Sequence, residues 1–339
     1  MNCRISLFLC NAIVWLLLSV SCQWQPAESV QVEYKRGFPV DTTITLQELP
    51  IEVPSTPALL YRLGNRLVLF GNYHILYIYS YPDLRFVRSC QLPKFASTDV
   101  IDDELYLEYQ GKVDIYRLNP SDSLVWTRSF RVATVPYSVG GVHPLGKDTY
   151  IFTGWADIEG THEFHIVNSK TGKWTSGGAY PESSWTRFKR LEDFRYAYSH
   201  GISVKPDRSA FVVTYTFLRR IHIYDADGTL RHALHLDYEP NNNHLVDPGY
   251  DRRFLHCADV FVTDRYIYTV NPEQSMEYAV PYCEILMLDW EGNLKARYRL
   301  DMYINDIVVD EERKMIVGCG DKGKGKGSQF FKLKLINEY

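Results

Sequence analysis

Hydrophobic and polar positions alternate along residues 221–236, IHIYDADGTLRHALHL, on both sides of a polar turn. The alternating run Ile221–Tyr224 ends at the turn DADG, and a second alternating run leaves that turn. Alternation is typical of a half-buried strand, and a turn containing Asp and Gly between two such runs predicts a β-hairpin.

The same strand–turn–strand unit recurs along the chain. Residues 284–300, EILMLDWEGNLKARYRL, align with the first hairpin without a gap, so that Asp289 and Gly292 take the places of Asp225 and Gly228. Three further copies lie at 75–92, 113–130 and 164–179. A unit that recurs in this way indicates a repeat architecture, in which each copy is one supersecondary element.

Another pair of strands precedes each hairpin. The clearest examples are TDVIDDELYLEY from Thr98, ADVFVTDRYIYTV from Ala258 and NDIVVDEERKMIVG from Asn305. Four strands per unit, repeated roughly every 40 to 60 residues, predict a β-propeller. We expect six units, which begin near Pro57, Thr98, Ser138, Ser199, Ala258 and Asn305.

The sixth unit has no fourth strand before the chain ends at FFKLKLINEY. The alternating stretch Thr42–Leu46 is expected to supply that strand, which would close the ring and leave no open sheet edge. The predicted fold class is therefore all-β, a six-bladed β-propeller over residues 42–339. A β-sandwich is the structural rival, but it would need fewer strands and would leave the four-strand grouping unexplained.

Residues 1–21 have the character of a signal peptide: Arg4 is followed by an apolar run over Leu7–Leu18. The small residues SVS then precede Cys22, as in a bacterial lipobox. We expect Cys22 to carry a lipid anchor that holds the protein at a membrane surface, the alternative being ordinary cleavage nearby. Residues 22–41 are interpreted as a tether between this anchor and the propeller.

Composition and charge exclude one class of partner. The 339 residues are 45% hydrophobic and 14% aromatic, which is ample for a folded core. The formal net charge is only −4, and no basic stripe or nucleic-acid-binding motif is present. Nucleic-acid binding therefore has no electrostatic support in this sequence.

Four cysteines follow Cys22, namely Cys90, Cys257, Cys283 and Cys319. No CxxC pair occurs, so a zinc or redox site has little support. In the propeller, Cys257 and Cys283 fall on strands separated by another strand, about 9–10 Å apart, which is too far for a disulfide. We expect free thiols.

The sequence lacks a nucleophile elbow, HExxH, a P-loop and a Rossmann fingerprint. One constellation remains at the inner strands, where Asp99, Asp259 and Asp306 occupy equivalent positions, joined by Ser138 and His200. Equivalent inner-strand positions converge at one mouth of a propeller channel, so these groups could bind a polar ligand or a divalent cation. Alternatively, each Asp accepts backbone N–H bonds and holds neighbouring blades together.

Aromatic side chains are expected near the same face and could stack on a sugar or a peptide: Tyr137, Trp185, Tyr196, Tyr198 and Tyr250. The alternative is that they are scattered surface aromatics, which are common and need no function.

The SVSC stretch, the six four-strand units and the YD-x-x-G hairpin turn together resemble the TolB-like six-bladed propeller lipoproteins of Bacteroidota. The resemblance covers most of the chain from about residue 42 onward. It implies the propeller fold and an exported, outer-membrane location facing the periplasm or the cell surface. It implies no catalytic residues.

Two functions follow as hypotheses. The favoured one is a non-enzymatic binding or scaffold protein, lipid-anchored, that presents one propeller face to a protein, glycan or peptide ligand. The alternative is an enzyme, a metal-assisted hydrolase or lyase that works at the channel mouth through Asp99, Asp259, Asp306 and His200. No cofactor is firmly implied beyond a divalent cation at that mouth.

Overall fold

The computed structural model describes ten stretches of the chain: residues 32–53, 59–132, 139–154, 162–178, 180–181, 197–236, 254–272, 274–275, 282–321 and 328–335. Strands dominate these stretches, and a single 3₁₀ turn lies at Asn72–His74. No helix within them has the length and apolar character needed to cross a bilayer.

Six sheets of four or five strands form the blades. Within each blade, the strands of the repeat pair with their neighbours in antiparallel orientation. Three strands come first along the chain: β1 (Glu33–Lys35), β2 (Val40–Ile44) and β3 (Gln47–Val53). Blade 1 contains β4 (Leu59–Leu63), β5 (Arg66–Gly71), β6 (Ile75–Ser80) and β7 (Phe86–Gln91). Blade 2 contains β8 (Ser97–Ile101), β9 (Glu104–Tyr109), β10 (Lys112–Leu118) and β11 (Leu124–Arg131). Blade 3 contains β12 (Val139–Pro144), β13 (Thr149–Gly154), β14 (Phe164–Asn168) and β15 (Trp174–Gly177).

The remaining blades follow the same plan. Blade 4 contains β16 (His200–Val204), β17 (Ala210–Tyr215), β18 (Arg220–Asp225) and β19 (Leu230–Leu236). Blade 5 contains β21 (Asp259–Val262), β22 (Tyr266–Asn271), β24 (Cys283–Asp289) and β25 (Leu294–Leu300), and a separate pair joins β20 (Phe254–Leu255) to β23 (Gln274–Ser275). Blade 6 contains β26 (Asp306–Asp310), β27 (Met315–Asp321), β28 (Ser328–Lys334) and β3.

The predicted six-bladed propeller is confirmed. Each inner strand begins within two residues of the blade start expected from the sequence, at Leu59, Ser97, Val139, His200, Asp259 and Asp306. The repeat succeeds as a predictor because each blade restarts the same alternation of apolar and polar positions.

Six clusters of buried apolar side chains lie between neighbouring blades, one for each junction of the ring. Successive residues of a central strand point to opposite faces and so reach opposite neighbours. In β17, Val212 packs in the cluster shared with blade 5, whereas Phe211 and Val213 pack in the one shared with blade 3. This explains why β17 is buried along its whole length.

The ring closes through β3, which pairs antiparallel with β28 and completes blade 6. Closure by an N-terminal strand was predicted, but the expected segment Thr42–Leu46 was wrong. Most of that segment lies in β2, which pairs instead with β25 of blade 5. Both stretches alternate, so the pattern could not separate them; only Leu49 and Ile51 of β3 reach the core between blades 6 and 1.

Two N-terminal strands belong to blades and not to the expected tether. β1 pairs in parallel with β19 of blade 4, and β2 pairs in parallel with β25 of blade 5, each as a fifth, outermost strand. The propeller thus includes residues from Glu33 onward, within the range 22–41 that the sequence assigned to a tether.

The hairpin turns of blades 4 and 5 have the predicted chemistry. Gly228 and Gly292 adopt positive φ values of 89° and 72°, which glycine accepts without strain. Their N–H groups donate to the carbonyls of Asp225 and Asp289 at 2.9 and 3.0 Å. The Asp289 carboxylate also accepts the Glu291 and Asn293 N–H bonds at 3.0 and 2.8 Å, whereas the Asp225 carboxylate pairs with Arg231.

The four cysteines of the described residues, Cys90, Cys257, Cys283 and Cys319, carry thiols and not disulfides, as predicted. Burial raises the pKa of the Cys283 thiol to about 12. A thiol held protonated in this way is a poor nucleophile and metal ligand, so we assign this cysteine to the core between blades 5 and 6.

Candidate functional site

The inner strands of the six blades surround a central channel of about 1250 Å³. The structure places Asp99, His200, Asp259 and Asp306 on its wall, at or near the starts of their strands. Ser138 lies outside the described residues. Whether these side chains bind a ligand together stays a prediction.

Asp259 and Asp306 form a pair that links three blades. The Asp259 carboxylate accepts a hydrogen bond from the Ile307 N–H at 3.2 Å, and Asp306 accepts one from the Leu60 N–H at 2.6 Å. Blade 5 is thereby joined to blade 6, and blade 6 to blade 1. This is the structural role that the sequence left open as the alternative to a ligand site.

The pKa values of both carboxyl groups in this pair are raised. Burial raises the pKa of Asp306 well above its ordinary value, and the charge of Asp259 raises it further. Burial likewise raises the pKa of Asp259, although the hydrogen bond from Asp306 opposes the rise. Two adjacent carboxyl groups that resist joint ionisation share one proton.

Tyr61 of blade 1 lies among the three aspartates of the channel. Its hydroxyl donates to the Thr98 carbonyl of blade 2 at 3.2 Å. Burial raises the pKa of the Tyr61 hydroxyl well above its usual value, and the negative charge of Asp99, Asp306 and Asp259 raises it further. The three carboxyl groups therefore act on one region of the wall.

Asp99 has a partner that the sequence analysis missed. Its carboxylate lies 2.9 Å from Nδ1 of His143 in blade 3, and both side chains are only partly exposed at the channel. A Cβ on Gly141 would lie 2.8 Å from both His143 Nε2 and the Thr153 hydroxyl. Gly141 makes room for the His143 imidazole. The glycine in GGVHP was therefore the sequence feature that could have indicated a side chain packed against the strand backbone at this point.

His200 does not offer a free ring nitrogen to the channel. Nδ1 lies 2.9 Å from the Tyr198 carbonyl, and Nε2 lies 2.9 Å from the Glu163 carbonyl. Both ring nitrogens therefore face carbonyl oxygens, which only accept hydrogen bonds. The ring connects blade 4 to the start of β14 in blade 3.

Within the described stretches, no three His, Cys, Asp or Glu side chains are arranged to hold a metal ion. The divalent cation expected at the channel mouth stays a prediction, as does the metal-assisted hydrolase or lyase.

The channel wall is strongly acidic. Its described lining residues include nine aspartic and glutamic acid side chains but only two guanidinium groups. Many of these acids sit in the turns between inner and second strands, at the opposite end from Asp259: Asp102, Asp103, Asp264, Glu311 and Glu312. Ion pairs neutralise some of them, such as Glu311 with Arg265 at 2.8 Å. Asp102 of blade 2 pairs with Arg208 of blade 4, past the turn of blade 3.

A second polar cluster lies outside the channel, buried between blades 3 and 4. The Glu163 side chain is fully buried and accepts hydrogen bonds from the hydroxyls of Tyr215 and Tyr224, and His222 Nδ1 lies 2.8 Å away. No pattern in the sequence predicted this cluster, because its members come from separate blades.

Of the five aromatic residues expected near this face, Tyr198 alone lies within the described residues. Tyr198 is buried in the core between blades 3 and 4, so its expected role as a surface stacking residue is wrong. Tyr137, Trp185, Tyr196 and Tyr250 lie outside the described residues.

A ring of six blades around a channel with polar groups on its inner strands defines a six-bladed β-propeller. The chain belongs to the family of TolB-like 6-blade propellers, whose model matches residues 45–312.

Solved structures agree with this fold. A member of the DUF4221 family from Bacteroides vulgatus ATCC 8482 is 10% identical, with a TM-score of 0.59 over 85% of this chain and 96% of that one. A presumed exported protein from Bacteroides fragilis NCTC 9343 is 11% identical, with a TM-score of 0.52 over 88% of this chain and 100% of that one. No curated protein matches the chain.

Proposed function

We propose that the propeller is the ligand-binding module of an exported protein, and that its channel receives an amino group presented by a peptide ligand. The observation that carries this proposal is the excess of acidic side chains over guanidinium groups among the described residues of the channel wall, nine against two. A lysine side chain or a peptide amino terminus brings a cation with several N–H donors and no acceptor, which suits such a wall.

The proton shared by Asp259 and Asp306 gives the site a distinct response to pH. An arriving cation favours the fully ionised pair, so binding releases that proton. The affinity for a cationic ligand is therefore expected to rise with pH across the raised pKa values of the pair. A metal ion would need several convergent, unengaged ligands, whereas these carboxylates already accept backbone N–H bonds.

Titration calorimetry at low salt with N-acetyl-lysine methylamide, compared with the norleucine analogue, tests this proposal. Asp259→Asn is expected to weaken binding of the lysine probe roughly tenfold, because one charge-assisted contact is worth about 1.5–3 kcal/mol. The variant should also flatten the pH dependence of binding.

Asp83→Asn, the same change on an exposed turn of blade 1, is the control, and thermal unfolding of both variants checks their folding. Equal binding of the lysine and norleucine probes would contradict the proposal. So would an Asp259→Asn protein that loses stability but keeps its affinity for lysine.

We further propose that the protein is a lipoprotein of the outer membrane, anchored through Cys22 after removal of residues 1–21. The apolar run Leu7–Leu18 followed by SVSC supports this, as does the description of the Bacteroides fragilis relative as exported. Cys22→Ser is expected to move the protein from the membrane fraction to the soluble fraction, measured by fractionation and by metabolic labelling with a fatty acid. Labelling that survives the substitution would refute the anchor.

A further inference from the structure

The outer edges of the blades differ sharply. Blades 4 and 5 carry β1 and β2 on their outer strands, β19 and β25, which are largely buried. No strand of the described residues pairs with the outer edges of β7, β11 or β15 in blades 1 to 3. β11 is the longest of these strands, and Val125 and Trp126 on it are 45% and 55% exposed. A long, exposed edge strand is a template for pairing with another chain.

Blades 4 and 5 show how this protein holds an added strand. Asp41 of β2 makes a two-pronged ion pair with Arg299 of the outer strand β25, with N–O distances of 2.7 and 2.8 Å. Glu33 of β1 lies 2.7 Å from His232 Nδ1 of the outer strand β19. In both blades, the added strand supplies an acid and the outer strand supplies a base.

The outer strand of blade 2 has a base in the equivalent position, although no added strand is paired with it in the described residues. A bulge interrupts β10–β11 pairing just before Arg128, as a bulge interrupts β24–β25 pairing just before Ala296. Counting from the bulges, Arg131 occupies the place of Arg299. It is exposed and forms no ion pair within the described part of the chain.

The apolar half of the arrangement is also repeated. In the same register Trp126 occupies the place of Leu294. Leu294 belongs to the buried cluster against which Phe38, just before β2, packs. Trp126 instead stands in solvent. Blade 1 has Gln91 where blade 2 has Arg131, and so lacks the base.

We propose that the outer edge of β11 binds an extended acidic segment of a partner protein, which adds in parallel as a fifth strand of blade 2. A carboxylate of that segment pairs with Arg131, and an apolar side chain before it covers Trp126. The backbone groups of Leu124–Arg131 supply the main-chain hydrogen bonds, as those of β25 do for β2.

The probe is a fluorescent peptide with the sequence of residues 38–46, FPVDTTITL, which already pairs with an outer strand in this protein. We expect it to bind and to slow amide hydrogen exchange across Leu124–Arg131. Arg131→Glu should weaken binding roughly tenfold or more, since it replaces a two-pronged ion pair with a repulsion. A peptide with Lys in place of its Asp should bind the Arg131→Glu protein better than it binds the unmodified protein.

Arg85→Glu, the same charge change on an exposed residue of blade 1, is the matched control and should leave peptide binding unchanged. Equal binding by the Arg131→Glu and Arg85→Glu proteins would overturn the proposal. Exchange protection confined to residues 294–300 would also overturn it, because the peptide would then only replace β2. Self-association through residues 124–131 in the absence of peptide, measured by sedimentation, would show that a second copy of this chain occupies the edge. That result would overturn the proposal of a partner protein.

Discussion

Glu163→Gln is expected to lower the free energy of unfolding by about 3 kcal/mol or more at neutral pH, because it removes the charge of a fully buried carboxylate whose hydrogen bonds are each worth about 1.5–3 kcal/mol. The carboxylate is fully buried between blades 3 and 4, beside His222 and two tyrosine hydroxyls. The amide keeps the shape of the side chain but not its charge, and one of its two terminal groups cannot accept the tyrosine hydrogen bonds. Urea unfolding at pH 7 measures the loss.

The same substitution should change how stability depends on pH. Burial raises the pKa of Glu163, but the charge of His222 and the hydrogen bonds around the carboxylate outweigh it and hold the pKa below its usual value. A folded-state pKa that is lowered gives stability above the unfolded value of about 4.3 and loses it as pH falls through the folded pKa. The unmodified protein should therefore lose stability in acid more steeply than Glu163→Gln.

Glu291→Gln provides the control, since the Glu291 side chain is 72% exposed. This variant should unfold within about 0.5 kcal/mol of the unmodified protein. If both substitutions had the same small effect, the cluster around Glu163 would not hold blades 3 and 4 together.

Replacement of Gln47–Val53 by a seven-residue Gly-Ser segment is expected to destabilise the protein by roughly 4 kcal/mol or more and to cause self-association. The change removes the apolar contacts of the partly buried Leu49 and Ile51 with the core between blades 6 and 1, where full burial of one such side chain is worth about 1.5–3 kcal/mol. It also removes the backbone hydrogen bonds between β3 and β28, each worth about 0.5–1.5 kcal/mol. It also leaves the edge of β28 unpaired, and an open edge invites pairing between copies. Urea unfolding and size-exclusion chromatography measure the two effects.

The matched control is a Gly-Ser replacement of Val40–Ile44, which removes β2 but leaves the ring closed. Blade 5 would then keep four strands and an outer edge like those of blades 1 to 3, so the expected loss is smaller and the protein should stay monomeric. Closure through β3 would be refuted if the two replacements destabilised the protein equally and neither caused self-association.

The sequence predicted the parts of this structure that repeat, and it missed those that occur once. Blade boundaries were readable because six units restart the same alternation, and the turn at Gly228 recurs at Gly292. The closing strand occurs once, and two neighbouring stretches, Val40–Ile44 and Gln47–Val53, alternate equally well. Only the packing of Leu49 and Ile51 against blades 6 and 1 distinguishes them.

The candidate site shows the same division. Alignment of the repeats placed Asp99, Asp259 and Asp306 on the channel wall, because blade geometry fixes where an inner-strand residue points. It could not pair Asp99 with His143, which lies 44 residues away in the next blade. The pairing of Glu163 with His222 spans 59 residues. Such contacts depend on how neighbouring blades pack against each other, and a local sequence pattern does not predict that packing.

The three N-terminal strands attach to blades 4, 5 and 6 in chain order, and this order has a mechanical consequence. A pull on the chain from the N-terminal side loads β1 first and β2 second, and it reaches β3 only after both have detached. β1 and β2 are peripheral additions, whereas β3 is the seam of the ring. Tension therefore detaches β1 and β2 one at a time before it reaches β3, the strand whose pairing closes the propeller, and the two outer strands protect that pairing.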